Sequence, residues 1–294
     1  MKPKWLVEAD IFEDNSDKLV EIVKRKGMDI KILKYIPFDE DLVSRVSEMY
    51  DEGDCVIFYG SLNFGRKLKQ TTFVPGVYLN EKAFECTSYY PVLNALLLHH
   101  YDYMMLPYGD LVNFKERLFK HFGDKIFIRP NSGFKEFTGM IVEKDKFEDC
   151  IELAGFYDVE PNLLVLISSV ENILKEWRFV IVDGKVISGS LYRDWSAPAK
   201  HAKSSPTRDY VLSHSHSLWE GCKDDIAWKT AQKAADIYNP DRCWTIDVAM
   251  NEIGLYSVLE IGCFSCAGLY GNDLDKVVDA VSEAAIKEWG EYNE

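Results

Sequence analysis

The chain has 294 residues, of which 47% are hydrophobic, 28% charged and 13% aromatic, a profile that excludes disorder and fibrous repeats and leaves a folded protein with one generous core or two smaller ones. With 34 basic residues against 48 acidic ones the formal charge is −14, so no chain-wide basic surface exists to neutralise phosphates and no nucleic-acid partner is expected. No apolar run is long enough to span a membrane or open a secretory signal, and seven scattered cysteines do not suit a disulfide framework, so the expected location is the cytoplasm.

Early in the chain, short apolar runs alternate with helical patterns: Trp5 to Ala9, a helix from about Asn15 to Lys26, Ile30 to Leu33, a helix near Asp41 to Tyr50, and Cys55 to Tyr59. That order predicts a βαβαβ unit. Asn15 or Ser16 can cap the first helix, Lys24-Arg25-Lys26 complement its negative end, and Gly27 stops it. The stretch from Gly60 to Lys67 approaches a phosphate-binding loop, which needs Lys directly after its second Gly and then Ser or Thr. Arg66 and Lys67 stand there instead, so an ordinary turn is expected. His99 and His100 are adjacent, point to different faces, and cannot readily share one metal.

Beyond the run Asp102 to Pro107 come a helical stretch from about Asp110 to Phe122 and strands at Lys125 to Arg129 and Thr138 to Glu143. The rhythm has turned toward antiparallel pairs. Leu163 to Ile167 and Trp177 to Val182 are further strands, and Asp183-Gly184 predicts a tight hairpin into Lys185 to Leu191. Ser196 to Ser217 is polar, with Lys200, Lys203, Arg208, His214 and His216, and reads as a mobile basic loop that could touch a substrate. A helix near Asp224 to Tyr238, strands at Cys243 to Met250 and Tyr256 to Ile261, and a helix from about Asp273 to Trp289 complete the prediction. Cys263 and Cys266 have redox or zinc spacing, but no second Cys or His pair completes a tetrahedral site, so they are expected to be small core residues.

The chemistry is concentrated in the second half. Arg129 ends one strand, and Lys135 sits in the glycine-bounded turn that follows. Glu176-Trp177-Arg178 opens another strand whose hairpin partner closes on Leu191-Tyr192-Arg193-Asp194. Asp247 and Glu260 each interrupt an apolar strand, and a buried carboxylate is costly unless it is paired or binds a cation. Two such acids facing four cations describe a nucleotide site, in which carboxylates hold Mg²⁺ and Arg and Lys neutralise phosphates. The alternative is that Asp247 and Glu260 simply pair with Arg178 or Arg193.

In order and spacing, Arg129 with its Gly-rich turn, the run Leu163 to Ile167, Glu176 to Arg178, Leu191 to Asp194, and the acids Asp247 and Glu260 resemble the ATP-grasp superfamily. The resemblance is closest to its divergent clade named for two arginines and a lysine, which includes the eukaryotic cell-division-cycle protein that assembles a translation initiation factor. It implies an α/β (α+β) ATP-grasp fold over residues 96–294, preceded by a small βαβαβ pre-ATP-grasp domain over 1–95. The nucleotide cleft would lie between about 100–165 and 166–294. The resemblance also implies that Arg129 and Lys135 bind phosphates, that the backbone near Leu166 to Ser168 reads the adenine edge, and that Glu176 contacts the ribose. Arg178 and Arg193 would act on the transferred phosphoryl group, and Asp247 and Glu260 would hold Mg²⁺. The family's Glu-x-Asn becomes Glu260-Ile261-Gly262 here, which removes one side-chain ligand. The implied activity is ATP-dependent joining of a carboxylate to an amine through an acyl-phosphate, on an amino acid, peptide or protein. The alternative is an ATP-binding assembly factor for a partner protein.

Overall fold

The computed structural model describes the chain apart from residues 13–14, 38, 40, 52, 100–101, 134–135, 156–158 and 196–219, and apart from the side chains of 153–155 and 220. Lys135, His100 and the basic loop therefore lie outside the described residues. The N-terminal part runs β1 (Lys4–Glu8), α1 (Asn15–Arg25), β2 (Ile30–Leu33), α2 (Leu42–Ser47), β3 (Cys55–Tyr59), α3 (Leu62–Leu68) and β4 (Val74–Gly76). This is the expected βαβαβ order with one further helix and strand, all paired in parallel as β2-β1-β3-β4. Helices cover both faces, and β3 is accordingly buried at every residue. Alternation sorts the side chains. Trp5, Val7, Ile57 and Tyr59 pack with α1, whereas Leu6, Val56 and Phe58 pack with α2 and α3.

The chain continues through α4 (Cys86–Leu93), β5 (Tyr103–Pro107), α5 (Leu111–Phe122), β6 (Lys125–Pro130), β7 (Met140–Glu143), α6 (Phe147–Gly155) and β8 (Leu164–Ser168). The strands form an antiparallel sheet in the order β5-β8-β6-β7. Leu111, Leu118 and Phe119 on one stripe of α5 cover Ile126, Ile128, Val165 and Ile167. α4 forms despite Pro91 in its interior, a residue that opposes helix locally. Burial of Tyr89, Tyr90 and Leu93 in the core overrides that preference.

The remainder comprises β9 (Ile173–Val182), β10 (Lys185–Asp194), β11 (Glu220–Gly221), α7 (Asp225–Ile237), β12 (Cys243–Asn251), β13 (Tyr256–Cys263) and α8 (Leu274–Asn293). The strands make an antiparallel sheet ordered β11-β10-β9-β12-β13. Asp183 and Gly184 join β9 to β10 at φ 45° and 74°, the left-handed pair that matches the twist of a two-residue hairpin. One face of the sheet, with Phe179, Ile181, Trp244 and Ile246, packs under the alanines of α7. The other buries Val180, Val182 and Cys243 in the same cluster as α8, α1 and β1. Arg25 pairs with Asp275, and Lys26 lies 2.8 Å from Asp279, fastening α1 to α8. Among the described residues no helix is long and apolar enough to cross a membrane.

Candidate functional site

On the face of the five-stranded sheet turned away from α7, apolar residues give way to charge toward one end. β9 supplies Arg178 and Glu176, and β12 supplies Asp247. Arg178 and Asp247 are register partners, and Nε and Nη2 of the guanidinium donate to the two carboxylate oxygens at 2.8 and 2.7 Å. Such a two-point fork is the strongest arrangement the pair can make. Asp247 is 1% exposed. Burial raises its pKa above the usual carboxylate range, and the Arg178 charge works against that rise.

Two irregularities of register complete the cluster. Between Asp247 opposite Glu260 and Val248 opposite Val258, Leu259 is an extra residue on β13, and this bulge turns Glu260 toward Asp247. Glu260 Oε2 lies 3.2 Å from Arg129 Nη1, and Glu260 Oε1 lies 3.8 Å from Arg178. The first of these contacts crosses from β13 to β6, so the cluster lies where the two antiparallel sheets meet. A second bulge lies between Leu191 opposite Trp177 and Arg193 opposite Glu176. It brings Tyr192 and Arg193, consecutive residues that ideal alternation sends to opposite faces, together onto Glu176. Arg193 Nη1 lies 3.3 Å from Glu176 Oε2, and the Tyr192 hydroxyl lies 2.7 Å from Glu176 Oε2 and 3.0 Å from Asp247 Oδ2. Burial also raises the Glu176 pKa, with Arg193 and Tyr192 opposing it.

The Tyr192 ring stacks on Tyr270 at 4.6 Å and 6°. The Arg178 guanidinium lies 5.6 and 5.1 Å from the two ring centres, and that of Arg193 lies 5.5 Å from Tyr192, within cation–π range. Tyr270 has φ 51°, a conformation uncommon for a bulky residue. Gly268 accepts a hydrogen bond from Arg178 Nη1 at 3.2 Å. The segment after β13 thus holds the arginine from below, and sequence reasoning gave neither Tyr192 nor Tyr270 a role.

The structure therefore brings together Arg129, Glu176, Arg178, Arg193, Asp247 and Glu260. Leu166 and Ser168 lie in the same four-stranded sheet as Arg129 and are fully buried. β8 pairs on both sides there, Leu166 with Arg129 and Ser168 with Phe127 and Tyr103, and the chain leaves the ladder only after Ser168.

The turn from Gly60 to Lys67 does not present an anion site. The buried Glu8 carboxylate accepts from the Ser61 N–H at 2.6 Å, where a phosphate would have to sit, and Arg66 pairs with Glu81 at 3.1 Å. Gly60 permits this packing, since a Cβ there would lie 2.5 Å from Glu8 Cβ. All seven cysteines are free. Between Cys263 and Cys266, Ser265 accepts from Tyr78 N–H through its hydroxyl and from Gly60 N–H through its carbonyl, so this segment ties the sheets together. Among the described residues no three His, Cys, Asp or Glu side chains are grouped to hold a metal. A groove of about 570 Å³ over Lys115, Lys125 and Glu143 lies away from the cluster, and its Lys125 and Glu143 already pair at 2.7 Å.

A family model described as an ATP-grasp domain, R2K clade family 2, matches residues 111–280, more than half of the chain. The chain belongs to this ATP-grasp family. No curated protein matches it significantly by sequence. Among solved structures it is similar to D-alanine–D-alanine ligase from Bacillus anthracis, at 15% identity and TM-score 0.63 over 99% of each chain. It is also similar to the D-cycloserine synthetase DcsG, at 13% identity and TM-score 0.59, covering 96% of this chain and 99% of that one. The ATP-grasp ligase PsnB in complex with a minimal precursor gives 13% identity and TM-score 0.58 over 98% and 99%. At such identities the likeness is one of fold: mixed α/β sheets in the architecture that ATP-dependent carbon–nitrogen ligases use.

Proposed function

We propose that the chain is an ATP-dependent ligase that activates a carboxylate as an acyl-phosphate and passes the acyl group to an amine. The single observation behind this reading is the convergence of Arg129, Arg178 and Arg193 with Glu176, Asp247 and Glu260 where two sheets meet. Three guanidiniums opposite three carboxylates balance locally, and a polyphosphate arriving there gives the arginines a more highly charged partner. Asp247 and Glu260 would then be released to a dication, Mg²⁺, which takes hard oxygen donors and needs only one or two protein carboxylates beside phosphate. The donor set fits, because both groups are carboxylates on opposed positions of β12 and β13. When bound, Mg²⁺ held by Asp247 and Glu260 would supply positive charge that offsets the charge of the phosphates.

In this reading Arg129 and Lys135 hold phosphates, Glu176 takes the ribose hydroxyls, and the backbone around Leu166 and Ser168, with the chain leaving β8, borders the adenine. The substrate carboxylate attacks the γ-phosphorus and ADP leaves; the amine then attacks the acyl carbon and phosphate leaves. Positioning and charge neutralisation carry both steps, so no Ser or Cys nucleophile is called for. The substrate is proposed to be an amino acid, a peptide or a protein, as the resemblance implies; the cleft of about 340 Å³ beside Tyr270 has Arg25 and Asp275 in its lining, and these already pair with each other. The proposed division into a unit over 1–95 and an ATP-grasp core over 96–294 follows the same resemblance.

Arg193 carries the test. It pairs with Glu176 at the rim of the cluster and is proposed to meet charge chiefly as the phosphoryl group is transferred, which lowers the barrier without tightening ground-state binding. Arg193→Ala should depress ADP release with amino-acid pools by about 2 to 4 kcal/mol of barrier while leaving Mg-ATP affinity by calorimetry nearly unchanged. Equal losses in both would reduce Arg193 to a binding group. Gly262 faces Thr245 with no side chain to offer a metal, which favours the assembly-factor reading should the unmutated protein bind Mg-ATP yet release no ADP with any substrate pool.

A further inference from the structure

Tyr192 links the two halves of the proposed site through a neutral group. Its hydroxyl is 2.7 Å from Glu176, the proposed ribose carboxylate, and 3.0 Å from Asp247, a proposed metal carboxylate. A phenol has one proton to donate, so the two acceptors compete for it. Its ring is fixed: the residue is 6% exposed, stacked on Tyr270 and flanked by the Arg178 and Arg193 guanidiniums. The oxygen cannot follow either acid without breaking that stack, and only the direction of the O–H bond is left to vary.

We propose that Tyr192 is a positioning residue that couples the two carboxylates, so that engagement of Asp247 by a cation gives the phenol proton wholly to Glu176. An Asp247 oxygen turned to a cation is a poorer acceptor for the phenol. The O–H then points to Glu176 Oε2, fixing that carboxyl group and leaving Oε1 to accept from a ribose hydroxyl. Nucleotide and cation are thereby linked through one rotatable bond, and linkage of this kind is reciprocal. This inference rests on the nucleotide reading above and adds a regulation of that same site.

Tyr192→Phe keeps the ring, the stack and both cation–π contacts and removes only the oxygen. The measurement is ATP affinity by calorimetry, once with chelator and once with saturating Mg²⁺, for the unmutated protein and for Tyr192→Phe, beside the melting temperature of each. The expected result is that the strengthening of ATP binding by Mg²⁺ falls about tenfold in Tyr192→Phe, a size usual for coupling between sites, while affinity in chelator changes much less. Equal weakening under both conditions, or no change in either, overturns the coupling while leaving the nucleotide reading intact. Failure of the unmutated protein to bind ATP at all overturns the nucleotide reading and the coupling with it. Should Tyr192→Phe not fold, the same pair of titrations on Glu176→Gln decides: an amide that still accepts from the phenol keeps the Mg²⁺ effect if the coupling holds and loses it if direct charge between the two acids is responsible.

Discussion

His99 is 7% exposed, and its Nδ1 has no hydrogen-bond partner among the described residues. Its ring stacks on Phe127 at 6.0 Å. Burial, with the nearby Arg129 charge adding to it and Asp102 opposing it, pushes the imidazole from 6.5 down to about 4. The sign follows. An unfolded His99 takes up a proton as pH falls through 6.5, the folded one only near 4, so the folded state loses stability across that window and gains it back as pH rises. The loss can reach about 3 kcal/mol. His99→Leu should remove it: urea unfolding at pH 7 and pH 4.5 is expected to show a smaller acid loss in the variant, by roughly 2 kcal/mol or more, and equal losses in both proteins would mean the ring is not held neutral. Arg178, Arg193, Asp247 and Glu260 were legible in the sequence, because a charge inside an apolar strand costs too much to be incidental. Tyr192 was not. A tyrosine in a strand is ordinary, and nothing in its neighbours announces that its hydroxyl meets two acids.

Strand β10 shows why the elements were readable while their register was not. The Asp183-Gly184 turn marks the β9–β10 hairpin, and both residues take the positive φ that the pair tolerates. The bulge at Tyr192 has no such signature, and without it Arg193 would face away from Glu176. The bulge at Leu259 equally decides that Glu260 faces Asp247. Within the same hairpin Gly189 lies opposite Phe179, and a Cβ there would come within 2.4 Å of the Phe179 ring. The ring is fully buried and cannot yield cheaply. Gly189→Ala should therefore destabilise the protein by about 1 to 3 kcal/mol, whereas Gly221→Ala on neighbouring β11, whose added Cβ would meet no atom of the described residues within 4 Å, should stay within about 0.5 kcal/mol. Urea midpoints for the two variants check this. A Gly189→Ala protein as stable as its parent would mean that β10 can move away from β9, and with it that the Arg178 and Arg193 geometry is not rigidly set.

At the scale of the whole molecule, most strands and the long helices were recoverable from periodicity while the short α3, β4, α4 and α6 were not expected, and the sharing of the core was not readable at all, because it depends on contacts far apart in sequence. Trp5, Val7, Leu19, Val23, Ile57 and Tyr59 lie in one cluster with Val180, Val182, Phe264, Val277, Val278, Val281 and Ala285. The parallel sheet and α1 thus cover one face of α8, and α8 in turn covers the face of the five-stranded sheet turned away from α7, the same face that carries Arg178 and Asp247 toward one end. Tyr59 donates to the Ala267 carbonyl at 2.9 Å, and Asn15 accepts from the Leu269 N–H at 3.1 Å. These bonds fix the segment whose Gly268 carbonyl receives Arg178. An isolated fragment of residues 96–294 would expose the α8 valines and lose the supports of that segment, and apolar area of this kind returned to water costs about 25 cal/mol per Å². The expected outcome is a fragment that aggregates or elutes expanded on size exclusion, with no cooperative urea transition, while the full chain unfolds in one step that Mg-ATP moves to higher urea. A soluble fragment with its own sharp transition, shifted by Mg-ATP as far as the parent's, would show instead that the N-terminal sheet is a separable attachment and that the arginine cluster needs no support from it.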